Sequence, residues 1–155
     1  MPMRKLEKQE PARKRLFGGF GTVKSKERPA RSPSTLESGA KRARLRIVKN
    51  QIDTILVALE KPVVLARMLG VSPAQVTRWR TTQLPDLRNR DRLRRLADTV
   101  GLLLQAYQPS VAGAWFRSPN VHPEDGGGTP ADLIQRDQWD ALRSYAEEAA
   151  SEGYG

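Results

Sequence analysis

Apolar residues in this chain recur in threes and fours, prolines cut the recurrences into short lengths, and no stretch alternates apolar with polar residues. A chain patterned this way buries its apolar side chains along helix faces, so the expected fold class is all-α. Val48, Ile52, Ile55, Leu56 and Leu59 mark a first helix from Leu45 that stops near Glu60, ahead of Pro62. Pro62 opens a second helix through Val64, Leu65, Ala66, Met68 and Leu69, with Gly70 as a left-handed cap. Ser72 caps a third, with Pro73 at its first position and Val76 and Trp79 facing inward. After a break at Pro85, Asp91 starts a long fourth helix carrying Leu93, Leu96, Val100, Leu103 and Tyr107, and Pro109 to Gly113 read as a link. Thr129 and Pro130 begin a short helix to Ile134, and a last one covers Gln138 to Ala150.

Charge is unevenly spread along the 155 residues. Residues 1–50 hold 15 Lys/Arg against 4 Asp/Glu, residues 51–107 hold 9 against 5, and residues 108–155 hold 3 against 8. A basic front with an acidic rear predicts a polyanion at one end and a different partner at the other. Residues 1–44 are rich in Lys, Arg, Pro, Ser and Gly and lack an apolar period, which reads as a disordered basic arm. Its one apolar island, Leu16 to Gly21, lacks the Gly-Lys-Ser/Thr ending of a phosphate loop and reads as linker. No run reaches the 18 or more apolar residues of a membrane span, so no membrane partner is expected and the chain reads as cytoplasmic.

Catalysis is the poorest reading. There is no cysteine, and the lone His122 has neither a second histidine nor a carboxylate cluster at metal-ligand spacing. No catalytic residue, metal site or cofactor is expected, and the chain is read as no enzyme.

The second and third helices instead meet the requirements of a helix-turn-helix: a small residue at the contact, a glycine in the turn and an apolar anchor beneath the second helix. Ala66, Gly70 and Val76 supply them. With Val76 and Trp79 inward, a 100° step per residue turns Ala74, Arg78 and Thr81 outward, flanked by Gln75 and Thr77. Arg78 is the leading base reader, since its guanidinium can donate twice to guanine, while Gln75 suits adenine and Thr77 a thymine methyl or a phosphate. Ser72 caps this helix, and Arg80 lies closer to the packed side, within reach of backbone phosphate. Arg88, Asn89 and Arg90 are placed in a loop along the phosphates, with Arg92, Arg94 and Arg95 following on the helix. Lys41, Arg42, Arg44 and Arg46 of the arm add sequence-independent affinity for double-stranded DNA through counterion release. A single such motif binds weakly, so a homodimer is expected, with the apolar excess of the fourth helix at Leu102 as its contact.

The tail carries a second signature: Trp115, Phe116, Ser118, Pro119 and Asn120, then Gly127, Gly128, Thr129, Pro130, Ala131, Asp132, Leu133 and Ile134. Together with Leu65 to Trp79, these residues resemble the Xre/MbcA/ParS antitoxins, partners of RES-domain toxins, over about residues 48 to 150. The resemblance implies an Xre-like helix-turn-helix bundle over 45–108 and a small toxin-binding helical module over 109–155. It also implies neutralisation of a RES-type toxin and repression of the chain's own operon. Trp115, Phe116 and Asn120 become candidate partner-binding residues, and the acidic Glu147, Glu148 and Glu152 suit a basic cleft. The longer arm and the insertion His122 to Asp125 depart from the family, and they leave open a stand-alone DNA-binding regulator or nucleoid-associated DNA-organising protein.

Overall fold

A computed structural model describes residue 21 and residues 32–153. Leu16, Phe17 and Phe20 and most of the basic arm lie outside the described residues. From Pro33 onward the chain forms one compact unit, and every regular element described is a helix. None is long and apolar enough to cross a membrane.

Helix α1 spans Pro33–Leu59, starting twelve residues before the expected Leu45. Its buried face, Val48, Ile52, Ile55, Ala58 and Leu59, is the stripe read from the sequence. The extension from Pro33 to Arg44 is exposed on all sides, so no apolar period announces it. Strong helix formers such as Leu36, Ala40, Lys41, Arg42 and Ala43 carry it instead. The helix ends as Glu60 turns left-handed at φ 63°.

Helices α2 (Pro62–Leu69) and α3 (Pro73–Thr81) follow at the expected prolines. Between them Gly70 sits at φ 67°, and the amide of Val71 reaches back to the Ala66 carbonyl at 2.9 Å. This left-handed cap lets the chain reverse within three residues. The Ser72 hydroxyl accepts from the Gln75 amide at 3.2 Å and starts α3. Val76 and Trp79 are buried, seating α3 on α1 and α2.

Helix α4 spans Leu87–Ala106 and starts before the expected Asp91, because the Asp86 carboxylate caps it through the Asn89 amide at 2.9 Å. The supposed link after Pro109 is helical as well: α5 covers Pro109–Trp115. Proline suits its first turn, and Ala112 and Gly113 let it lie close against α1. A turn of 3-10 helix at Pro123–Asp125 precedes α6 (Pro130–Gln135) and α7 (Trp139–Glu152). Thr129 and Asp132 form a reciprocal capping box at the start of α6.

Helix α6 packs on α2 and α7, and α7 packs along α4. Phe116, Leu133, Ile134, Leu142 and Ala146 thereby join Ile52, Leu65, Val76, Leu93 and Leu103 in one continuous core. Leu102, expected at a dimer contact, is half-buried against that core beside α7.

Gly113 marks the closest helix approach. A Cβ there would drive into the Ala58 carbonyl oxygen, a backbone atom that cannot swing aside. Gly113→Ala is therefore expected to cost about 1–3 kcal/mol despite alanine's better helix propensity. A urea titration checks this, and an unchanged midpoint would show that α1 and α5 separate freely.

Candidate nucleic-acid and partner interfaces

Two faces of this unit hold the residues singled out in the sequence. The first is the solvent side of α3. Arg78 and Thr77 are exposed, and Gln75 is half-buried. The Gln75 Oε1 accepts from Arg78 Nη2 at 2.6 Å, which fixes the guanidinium against its own helix. The hydroxyls of Thr77 and Thr81 donate to backbone carbonyls one turn back, at 3.2 and 2.9 Å. Arg80 turns the other way and donates through Nε to Asp53 of α1 at 2.7 Å.

The remaining basic candidates divide. Lys41, Arg42, Arg44 and Arg46 are exposed along α1. Arg88, Asn89 and Arg90 occupy the first turn of α4 instead of a loop, a consequence of the Asp86 cap. Asn89 is bound to that cap, its side-chain amide donating to Asp86 at 2.7 Å. Arg90 is half-buried and lines a hollow of about 340 Å³ with Arg44, Ile47 and Leu87. Arg88 reaches across to pair with Asp137, two residues beyond the end of α6.

Arg92 departs most from the expected basic face. Only 8% exposed, it donates to the carbonyl of Leu69 at 2.8 Å and to that of Ile134 at 3.3 Å. Those carbonyls lie in the last turns of α2 and α6, where helix dipoles favour a cation. Its Nε lies 3.2 Å from the Asp137 carboxylate, and Asp137 adopts the left-handed region at φ 55°. The signal was present in the sequence: Arg92 precedes Leu96 by four residues, on the same buried stripe as Thr99 and Leu103.

The second face belongs to the tail. Trp115 and Phe116 are buried, packed edge to face with ring centres 5.0 Å apart. They anchor the tail in the core rather than presenting a surface. With its amide oriented to satisfy both neighbours, Asn120 accepts from the Trp115 indole at 3.0 Å and donates to the Ser118 carbonyl at 2.9 Å. The inserted loop is tied to α7, because Tyr145 donates to Asp125 at 2.6 Å and accepts from the His122 amide at 2.9 Å. Glu147, Glu148 and Glu152 are exposed on α7, with Glu147 held by Arg143 at 2.7 Å. Among the described residues no group of histidine and carboxylate side chains is placed to hold a metal.

No protein-family model matches the chain. Over 82 residues it is 35% identical to the probable mycobacterial cidal antitoxin of Mycobacterium tuberculosis, a match spanning 53% of this chain and 69% of that protein. The chain belongs to this antitoxin family. A chain of the crystal structure of the M. tuberculosis MbcT–MbcA toxin–antitoxin complex has the same fold, with a TM-score of 0.56 at 22% identity. That match covers 68% of this chain and 96% of the solved chain.

In this antitoxin, Asp137 gives the junction of α4 and α6 a pH signature. The hydrogen bond from Arg88 and the nearby charge of Arg92 hold its carboxyl below the ordinary range, against an opposing desolvation effect. Its folded pKa thus lies below the unfolded value of about 3.9. The stability it contributes is present above that value and lost as pH falls through the folded pKa. Asp137→Asn, which tolerates the same backbone angle, is expected to lower Tm at neutral pH, with the gap to wild type closing as pH falls below the unfolded value of about 3.9. Thermal melts across that range check it, and a constant gap would contradict the pairing.

Proposed function

We propose that this chain is the antitoxin of a toxin–antitoxin pair, neutralising a RES-type toxin through its tail and repressing its own operon by reading DNA with α3. Family membership supports the antitoxin half. The DNA-reading half is carried by one observation: α3 buries Val76 and Trp79 while offering Arg78, Gln75 and Thr77 to solvent. Nine residues in that arrangement match what a major groove admits. Arg78 reads guanine, and the backbone is held by Arg80, Arg88, Arg90 and the exposed cations of α1. A homodimer places two such helices one DNA turn apart, about 34–36 Å.

On the tail, Glu147, Glu148 and Glu152 form an acidic exposed edge that meets a basic cleft on the toxin. Trp115, Phe116 and Asn120 shape that module from within. A stand-alone DNA-binding regulator or DNA-organising protein would use the same α3 and the same basic front. The excess of 15 Lys/Arg over 4 Asp/Glu in residues 1–50 is the feature favouring it.

DNA affinity measured against salt tests the reading, using wild type, Arg78→Ala and a chain lacking residues 1–32. On the chain's own upstream DNA, Arg78→Ala is expected to lose about tenfold while affinity for random DNA stays unchanged. Removing residues 1–32 is expected to weaken both DNAs and flatten the salt slope. If Arg78→Ala binds its upstream site as wild type does, α3 is not the reader.

A further inference from the structure

Arg80 and Asp53 are 27 positions apart in sequence, on different helices, and their pair is partly open to water, with side chains 45% and 32% exposed. An ion pair in such a setting contributes little to stability and freezes a long side chain to do so. The arrangement makes better sense as preorganisation. Asp53 uses both carboxylate oxygens: Oδ1 accepts from Arg80 Nε at 2.7 Å, and Oδ2 accepts from Lys49 Nζ at 2.6 Å. A guanidinium has five N–H donors in one plane. With Nε committed to Asp53, the four donors on Nη1 and Nη2 have no hydrogen-bond partner among the described residues. Arg78, two positions earlier on another side of α3, is held by Gln75 of its own helix.

We infer that Asp53 is a positioning residue for DNA contact, gripping Arg80 by Nε so that its two terminal nitrogens form a fixed fork for a paired acceptor. That acceptor is either two phosphate oxygens or the O6 and N7 of a guanine, both of which match the fork. Lys49 completes the support by fixing the far oxygen of Asp53. The carboxyl is correspondingly held below its usual range, by the hydrogen bond from Lys49 first and by Arg80 after it, against desolvation. Fixing the fork before binding removes rotamer entropy that a free arginine would lose on the DNA. This inference rests on the reading of α3 as the DNA-binding helix.

A double-mutant cycle on DNA affinity tests it, with Asp53→Asn, Arg80→Ala and the double variant, on the chain's own upstream DNA and on a random duplex, and with Tm recorded for each. Arg80→Ala is expected to lose about tenfold and Asp53→Asn several-fold, with the double variant no weaker than Arg80→Ala alone. Lys49→Ala, which leaves Asp53 and Arg80 in place, is expected to show a smaller loss in the same direction. A guanine contact confines the loss to the upstream DNA. A phosphate contact weakens both DNAs and lowers the salt slope by about one. Asp53→Asn binding like wild type, or weakening binding equally with and without the Arg80 side chain, overturns the inference. Wild type without preference for its upstream DNA, or without salt-dependent binding, overturns the underlying reading of α3 itself.

Discussion

Arg92 carries a nearly buried guanidinium to the carbonyls of Leu69 and Ile134, with the charge of the Asp137 carboxylate 3.2 Å from its Nε. The two carbonyls close helices from different parts of the chain, α2 before the Gly70 turn and α6 of the tail. A cation at the C-terminal ends of two helices is favoured by both dipoles. Losing one of these partners leaves a nearly buried guanidinium short of acceptors, which is unfavourable for a desolvated charge. The junction therefore makes the two ends one body, and the continuous core through Phe116, Leu133 and Leu142 does the same with apolar contact.

Joining the ends this way places the candidate reader and the candidate toxin-binding edge on a common frame. The basic residues sit on α1, α3 and the start of α4, and the acidic ones on α7. Arg88 stands between these groups, drawn from the basic side to Asp137 of the tail. Held on a rigid frame, a reading helix keeps its angle to DNA, since its supports on α1 and α2 are themselves packed.

Much of this fold was legible because each signal was local. Prolines at 62, 73 and 130 each open a helix, and Gly70, Ser72 and Thr129 cap where their chemistry requires. The extension of α1 was not legible, since a fully solvated helix buries no stripe and leaves no period. Arg88, Asn89 and Arg90 lie on α4 rather than in a loop because Asp86, a residue suited to that position, caps the helix ahead of them. α5 was missed because Ala and Gly leave only a faint apolar signal, while their small size is what the Ala58 contact demands.

The candidate site was less legible than the fold. Helical spacing identified the outward face of α3, but which arginines are held, and by what, depends on contacts between distant positions. The pairs of Arg80 with Asp53, Arg88 with Asp137 and Arg92 with two carbonyls are of that kind. Trp115 and Phe116, which the sequence reads as anchors of the tail on the helical core, are buried in the structure.

On the proposed function, one rigid unit neutralises a toxin at its acidic tail and reads DNA at α3. The most direct test is growth of cells expressing a RES-domain toxin from the same genome, together with wild type, a variant with Glu147, Glu148 and Glu152 changed to Lys, or Arg78→Ala. The account predicts that wild type and Arg78→Ala restore growth, while the charge-reversed chain fails to restore growth yet still binds DNA. Restored growth with the charge-reversed chain, or none with wild type, would contradict it.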